Sequence, residues 1–513
     1  MKRTASFMLT VALIFSLTDC ASMSPATGIG SSELNAAAIT SAVYPQMAPY
    51  PASYVKPNGG IDNAYYDAYD AWWKDVRTQR DQPQDYADGL DVFFADSIKQ
   101  FLSDSQGENK VYSPLNVYMA LGMLAEVTDG ESRSQVLTLL GADSIETLRA
   151  QAKSVWNANY LNDGVTTSIL ASSLWLNENI EFTRSTLDSL AENYYASSYQ
   201  GTMGSEKLNK ALQAWINEQT GDLLKEQTSG IEMDEKTIMS LVTTINFHAK
   251  WHSEFSESRT EKGVFHSTAG DLNCDFMRQD STRNYYWGEL FSAVSQSLEN
   301  SGEMWFILPD EGVSIDDLLQ DEQAMSFIVT NKYEWENSKY LIVNLAVPKF
   351  DVVSDLDLIS GLKDLGVTDV FDSEASDFSP MTEDTDEIFL SQIRHAARVM
   401  IDEEGCTAVA YTVMAATGTA APPDEKIDFT LDRPFIFVIT GTDGLPLFVG
   451  VVNQPSYSEF LMRNYRKPEH FRLFFVYIDR YLSMGGNIDE KNSNCTGVNT
   501  GINIMRMWRF GGR

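Results

Sequence analysis

The chain has 513 residues and a formal net charge of −34. That length allows a large core with additional segments. The charge argues against nucleic acid and anionic membrane as partners; it suits solubility outside a cell or the steering of cationic proteins. Four cysteines, Cys20, Cys274, Cys406 and Cys495, make no CxxC pair and no regular spacing. Neither a disulfide framework nor a zinc site is expected from them.

Residues 1–20 read as an export signal. Lys2 and Arg3 precede an apolar run from Phe7 to Leu17, too short to span a membrane. The four residues ending at Cys20 are similar to a bacterial lipoprotein cleavage box, which would make Cys20 the lipid-bearing residue. Asp19 departs from that pattern, and simple secretion is the rival. Residues 21–85 read as a flexible spacer, its first forty residues reaching roughly 35 Å. Within it Tyr65, Tyr69, Trp72 and Val76 fall on one helical stripe. That stripe suits packing on the body or stacking on cell-wall sugars.

A globular body runs from 86 to 455. Leu90, Phe93, Phe94, Ile98 and Phe101 predict an amphipathic helix. Asn109 to Tyr112 predicts a short strand, Val117 to Val127 a buried helix, and Ser132 to Leu140 another helix. Strands are expected over 166–176, 239–248, 303–309 and Tyr340 to Val347, and a helix over 208–220. Helices lead and strands dominate the second half, which predicts an α+β fold.

The next stretch, from Glu403 to Phe437, departs from ordinary loop composition. A strand ends at Glu403–Glu404, and Gly405 opens about fifteen small, uncharged residues before Pro422 and Pro423. A loop that long within a compact domain is usually functional, and a disordered linker would be polar. Taken in steps of two, Cys406, Ala408, Ala410, Thr412 and Met414 make a small row. Thr407, Val409, Tyr411 and Val413 make a β-branched or aromatic one. Alternation sends such rows to opposite faces, so the loop is also a potential strand, with Gly405 as its free hinge. An ordinary surface loop is the alternative.

Residues 456–513 carry nine Lys or Arg against five Asp or Glu. They include an apolar run, Phe471 to Leu482, that reads as a candidate helix. Docking on the acidic body, contact with another molecule and a frayed extension all remain open for this tail. Among motifs with chemistry, the five histidines make no HExxH, and neither a GxSxG elbow nor a phosphate loop is present. No catalytic residue, cofactor or metal is expected.

IDEEGCTAVA, ending at Ala410, resembles the hinge of the serpins, and DRPFIFVI with GLPLFVGVVNQP resembles their C-terminal strands. Further blocks follow in family order: VYSPLNVYMALGML, the NFHAKW stretch ending at Trp251, AVPKF, LGVTDVFD and IRHAARVMIDEEG. The resemblance covers roughly residues 86–455. It implies a large central β-sheet, two further sheets, surrounding helices and an exposed reactive-centre loop. It also implies a monomeric suicide-substrate inhibitor rather than an enzyme. A serine protease attacks the loop, the acyl-enzyme forms, and the cleaved arm enters the sheet as a new strand. A non-inhibitory binding protein on the same fold is the rival, and a protease the third reading.

Roles follow residue by residue from the resemblance. The hinge is Glu403, Glu404, Gly405, Cys406, Thr407, Ala408, Val409 and Ala410, with Lys349 as the ion-pair partner of Glu403. Trp251 marks the top of the sheet. Ser113 and His395 belong to the polar cluster under its centre. Thr243 and Asn116 depart from the family's Asn and Ser, an exchange that would let Asn116 act as the amide partner of His395. Cys406 replaces a Thr or Ser, and Tyr411 is bulky on the outward row. Family spacing puts the reactive bond between Thr419 and Ala420, to within one or two residues. Without Lys or Arg from 405 to 425, the loop suits elastase-like or subtilisin-like pockets rather than trypsin-like ones.

Overall fold

The computed structural model describes residues 38–51, 64–219, 231–330, 332–385, 388–406, 423–455 and 470–480. In chain order its strands begin with β1 (Ala38–Thr40), β2 (Lys110–Tyr112), β3 (Leu161–Asn162), β4 (Thr167–Asn177), β5 (Ala196–Gly201) and β6 (Thr237–Lys250). There follow β7 (Glu261–Ser267), β8 (Gly270–Trp287), β9 (Phe291–Ser297), β10 (Glu303–Pro309), β11 (Ser338–Pro348) and β12 (Phe350–Asp357). The last are β13 (Ile388–Ile401), β14 (Gly405–Cys406), β15 (Lys426–Thr430), β16 (Phe435–Thr440), β17 (Pro446–Val452) and β18 (His470–Arg480).

The central sheet has the order β1-β5-β4-β6-β18-β13-β12, with β3 on β4 and β14 on β6. The other strands run β15-β11-β8-β9-β10-β16-β17-β2, with β7 on β8. The 18-residue β8 pairs with β11 along most of its length and with β9 at its end, joining the two further sheets into one ladder. Helices surround both, so the fold is α+β.

The helix Pro114–Val127 is buried at every residue, as an all-round apolar segment must be. Ser113 caps it and Pro114 opens it, the preferred chemistry for a helix start. It lies beneath the central sheet, against β6 and β17. On the opposite face the helix Glu206–Gln219 buries Leu212, Trp215 and Ile216 with Trp175 of β4 and Val242 of β6.

Two expectations need correction. The spacer is not free along its length. Its β1 pairs with β5 at the sheet edge, and Tyr44 packs 5.3 Å from the ring of Trp156. The aromatic stripe does pack on the body, as one of its two readings had it: the helix Ala64–Arg80 buries Trp72 and Val76, and Trp72 Nε1 donates to Asp163 Oδ2 at 3.0 Å. Aromatic residues in a Pro-, Gly- and Ser-rich stretch found apolar surface to cover, which composition alone does not register.

The second correction concerns the tail. The run beginning at Phe471 is a strand, not a helix, and lies between β6 and β13, antiparallel to both. An almost unbroken apolar run carries no period that separates helix from strand. Two open strand edges decided it, because each buried backbone group there needs a partner.

Candidate functional site

The hinge is built where β13 ends beside the top of β6. Glu403 is buried, and its Oε1 lies 2.7 Å from Lys349 Nζ. Thr260 Oγ1 donates to the same oxygen at 2.6 Å. The backbone is tied as well: Phe255 N donates to Glu403 O at 2.9 Å and Trp251 N to Glu404 O at 3.3 Å. Trp251 is 2 % exposed, and its Nε1 donates to Asp402 O at 2.8 Å.

Asp402 Oδ1 accepts from Glu404 N at 3.0 Å and Gly405 N at 3.3 Å. This is an Asx turn that reverses the chain. Burial, with Glu403 and Glu404 adding to it, pushes the Asp402 carboxyl up to about 6 against the two backbone donors. Gly405 has φ +143°, and a Cβ there would come within 2.7 Å of Lys250 Cα and Trp251 N. Only glycine fits. Asp402, Thr260 and Phe255 were missed from sequence. Asp402 had a signal, an Asp three residues before a Gly. The other two come from a distant segment and had none.

From this turn the loop starts down the sheet. Gly405 pairs with Lys250 and Cys406 with Ala249, antiparallel. Thr407, Ala408, Val409, Ala410, Thr419, Ala420 and Cys20 lie outside the described residues.

Beneath the sheet centre, Ser113 Oγ donates to Leu447 O at 2.6 Å. Ser113 N donates to His395 Nε2 at 3.1 Å. A backbone amide can only donate, so Nε2 is bare and the buried imidazole is neutral with its proton on Nδ1. Tyr112 meets the ring edge-on at 5.4 Å. Asn116 is in the same cluster through its amide N, 3.4 Å from Ser113 Oγ.

The expected Asn116–His395 pairing is not made. Asn116 Nδ2 and Thr243 Oγ1 are buried without hydrogen-bond partners among the described residues. Thr243 and His395 are not neighbours either, because both pair with Phe474 from opposite sides. Two strand spacings, roughly 10 Å, separate their strands. The position expected to stand open for the cleaved loop is therefore filled by β18. Among the described residues no cluster of three or more His, Cys, Asp or Glu could hold a metal ion.

A family model, Serpin (serine protease inhibitor), matches residues 89–455. Serpin-ZX of Arabidopsis thaliana is 26% identical over 369 residues, covering 68% of this chain and 93% of the relative. The leukocyte elastase inhibitor of Sus scrofa is 29% identical over 379 residues, covering 71% of this chain and 97% of the relative. Among solved structures, the thermophilic serpin Tengpin in its native state superposes with a TM-score of 0.64 at 24% identity, over 72% of this chain and 95% of that one. Cleaved Serpin 42Da gives 0.62 at 19% identity, over 73% and 99%.

Proposed function

Because the chain belongs to the serpin family, we propose that it is an exported bacterial serine protease inhibitor, secreted or held at the cell surface through a lipid on Cys20. It acts as a suicide substrate. The target's nucleophile attacks the carbonyl of Thr419 and forms an ester, and Ala420 leaves as the new amino terminus. The freed arm then enters the central sheet and carries the tethered protease with it. Gly405 to Thr419 would span roughly 50 Å as a strand.

The supporting observation is the register in which the loop begins. Cys406 sits opposite Ala249. Continued one residue at a time, that register sets Ala408 against Phe247, Ala410 against Ile245, Thr412 against Thr243 and Met414 against Leu241. All four β6 residues are buried. The small row thus enters the face that Leu241, Ile245 and Phe247 share with the main core, and Thr412 meets Thr243, a favourable cross-strand pair. The small residues around Thr419 favour targets with small primary pockets. Elastase-like and subtilisin-like enzymes are the expected partners.

A second reading, a non-inhibitory binding protein on the same fold, is favoured by β18, since a sheet filled permanently cannot accept the loop. Incubation with elastase, followed by a denaturing gel and mass measurement of the released fragment, separates the two. An inhibitor gives a covalent complex and a fragment beginning at Ala420. A non-inhibitory protein gives cleavage products and active elastase.

A further inference from the structure

The C-terminal strand β18 holds the place that the loop needs. Its pairing with β13 runs from Phe471 opposite Arg398 to Arg480 opposite Ile388. Its pairing with β6 runs from His470 opposite Phe247 to Asp479 opposite Thr237. The loop and the tail approach β6 in the same direction and meet almost end to end. Cys406 takes Ala249 and His470 takes Phe247, with the single register position of His248 between them. Continued insertion sets Ala408 where His470 lies, Ala410 where Arg472 lies and Thr412 where Phe474 lies. Two backbones cannot occupy one ladder.

The tail is a poorer match for this slot than the loop. Arg472 holds the register position between Ile245 and Ala397, both buried, where the loop would bring an alanine. Phe474 holds the position between Thr243 and His395, where the loop would bring a threonine. Along β6 beside the tail, the buried hydroxyls of Ser240, Thr243 and Thr244 have no hydrogen-bond partner among the described residues. Unpartnered buried hydroxyls are costly. The occupant is also within reach in the same chain: residues 456–469 can span roughly 50 Å from the end of the body.

We propose that residues 470–480 are a built-in, displaceable occupant of the central sheet, which blocks loop insertion until the tail strand leaves. This rests on the inhibitory reading above. The tail closes the gap in the uncut protein and keeps the loop from entering prematurely. After cleavage the better-fitting arm replaces it. Trapping speed is then set by the fraction of molecules whose tail is out.

The test uses the full chain. Leu473 lies opposite Thr244, and facing residues on antiparallel strands are close enough for a disulfide. The double variant Thr244→Cys/Leu473→Cys, oxidised, locks the tail in; Leu473→Cys alone is the control. A separate variant, Val476→Pro, loosens the strand by removing a ladder donor. Each is cut with elastase and read two ways: the melting rise of the cut protein for insertion, and the covalent complex for trapping. Hydrogen exchange follows the amides of 470–480.

The expected result is protection of 470–480 in the uncut protein and its loss after cleavage. The lock should abolish the melting rise until reductant is added. Val476→Pro should speed insertion by about tenfold. Full insertion in the oxidised lock, or unprotected tail amides in the uncut protein, overturns the proposal. Insertion controlled by the lock with no trapping in any variant upholds it and defeats the inhibitory reading instead. Trapping unaffected by the lock does the reverse.

Discussion

At the scale of single residues, the hinge turns on a carboxylate that sequence reading passed over. Asp402 has its carboxyl raised from 3.8 to about 6, chiefly by burial. A group whose folded value lies above its unfolded one contributes stability that is present at low pH and lost as pH rises through the folded value. Asp402→Asn keeps an oxygen for the Glu404 and Gly405 amides without the buried charge. The variant should melt higher than the parent near neutral pH, by about 2 kcal/mol of stability, and the difference should vanish by about pH 4. Thermal melts of both proteins across that range check it. Glu403→Gln should act in the opposite sense. It removes the carboxylate charge 2.7 Å from Lys349 Nζ, and breaking a largely buried pair costs about 3 kcal/mol. Denaturant unfolding of the variant reads that loss.

In the proposed mechanism the loop is the element on which inhibition depends, and its register makes the tests specific. Ala410 would meet buried Ile245 on insertion. Ala410→Asp should therefore turn a trap into a substrate, because a buried unpaired charge costs several kcal/mol. On a denaturing gel the covalent complex should give way to cleaved protein, with elastase left active. Thr419→Arg tests the bond assignment separately. It should add trypsin as a target, whose primary pocket carries a negative charge, and continued capture of elastase alone would move the bond elsewhere. The same element shows where legibility stopped. The alternation of small and β-branched residues announced a latent strand, and Gly405 announced a hinge. The hinge's hold on the sheet required Thr260 and Phe255, which a different segment delivers.

For the whole molecule, cleavage should raise the melting temperature. The rise should be modest, because one ladder replaces another and backbone pairing nearly cancels. What changes is the fit at Ile245, Thr243 and His395, worth about 2–3 °C for a domain this large if it amounts to some 2 kcal/mol. Calorimetry of cut and uncut protein reads it, and an unchanged melting point would mean that the loop never enters. The native state is on this account held kinetically rather than by lowest free energy.

The order of blocks along residues 86–455, the α+β class, the buried helix Pro114–Val127 and the long strands were all readable from the chain. The block order rests on the resemblance, and the others on local pattern: hydrophobic period or a run of β-branched and apolar side chains. The Lys349–Glu403 contact lay within reach only through resemblance, since no local rule joins positions so far apart. Tertiary structure alone decided three matters. The stretch ahead of the aromatic stripe joins the sheet edge through β1 and packs Tyr44 on Trp156; Thr243 and His395 are held apart; and the C-terminal run is a strand. The physical reason is common to them. Composition sets what a segment can bury and pair, whereas open surfaces and unpaired edges elsewhere in the fold determine where it does so.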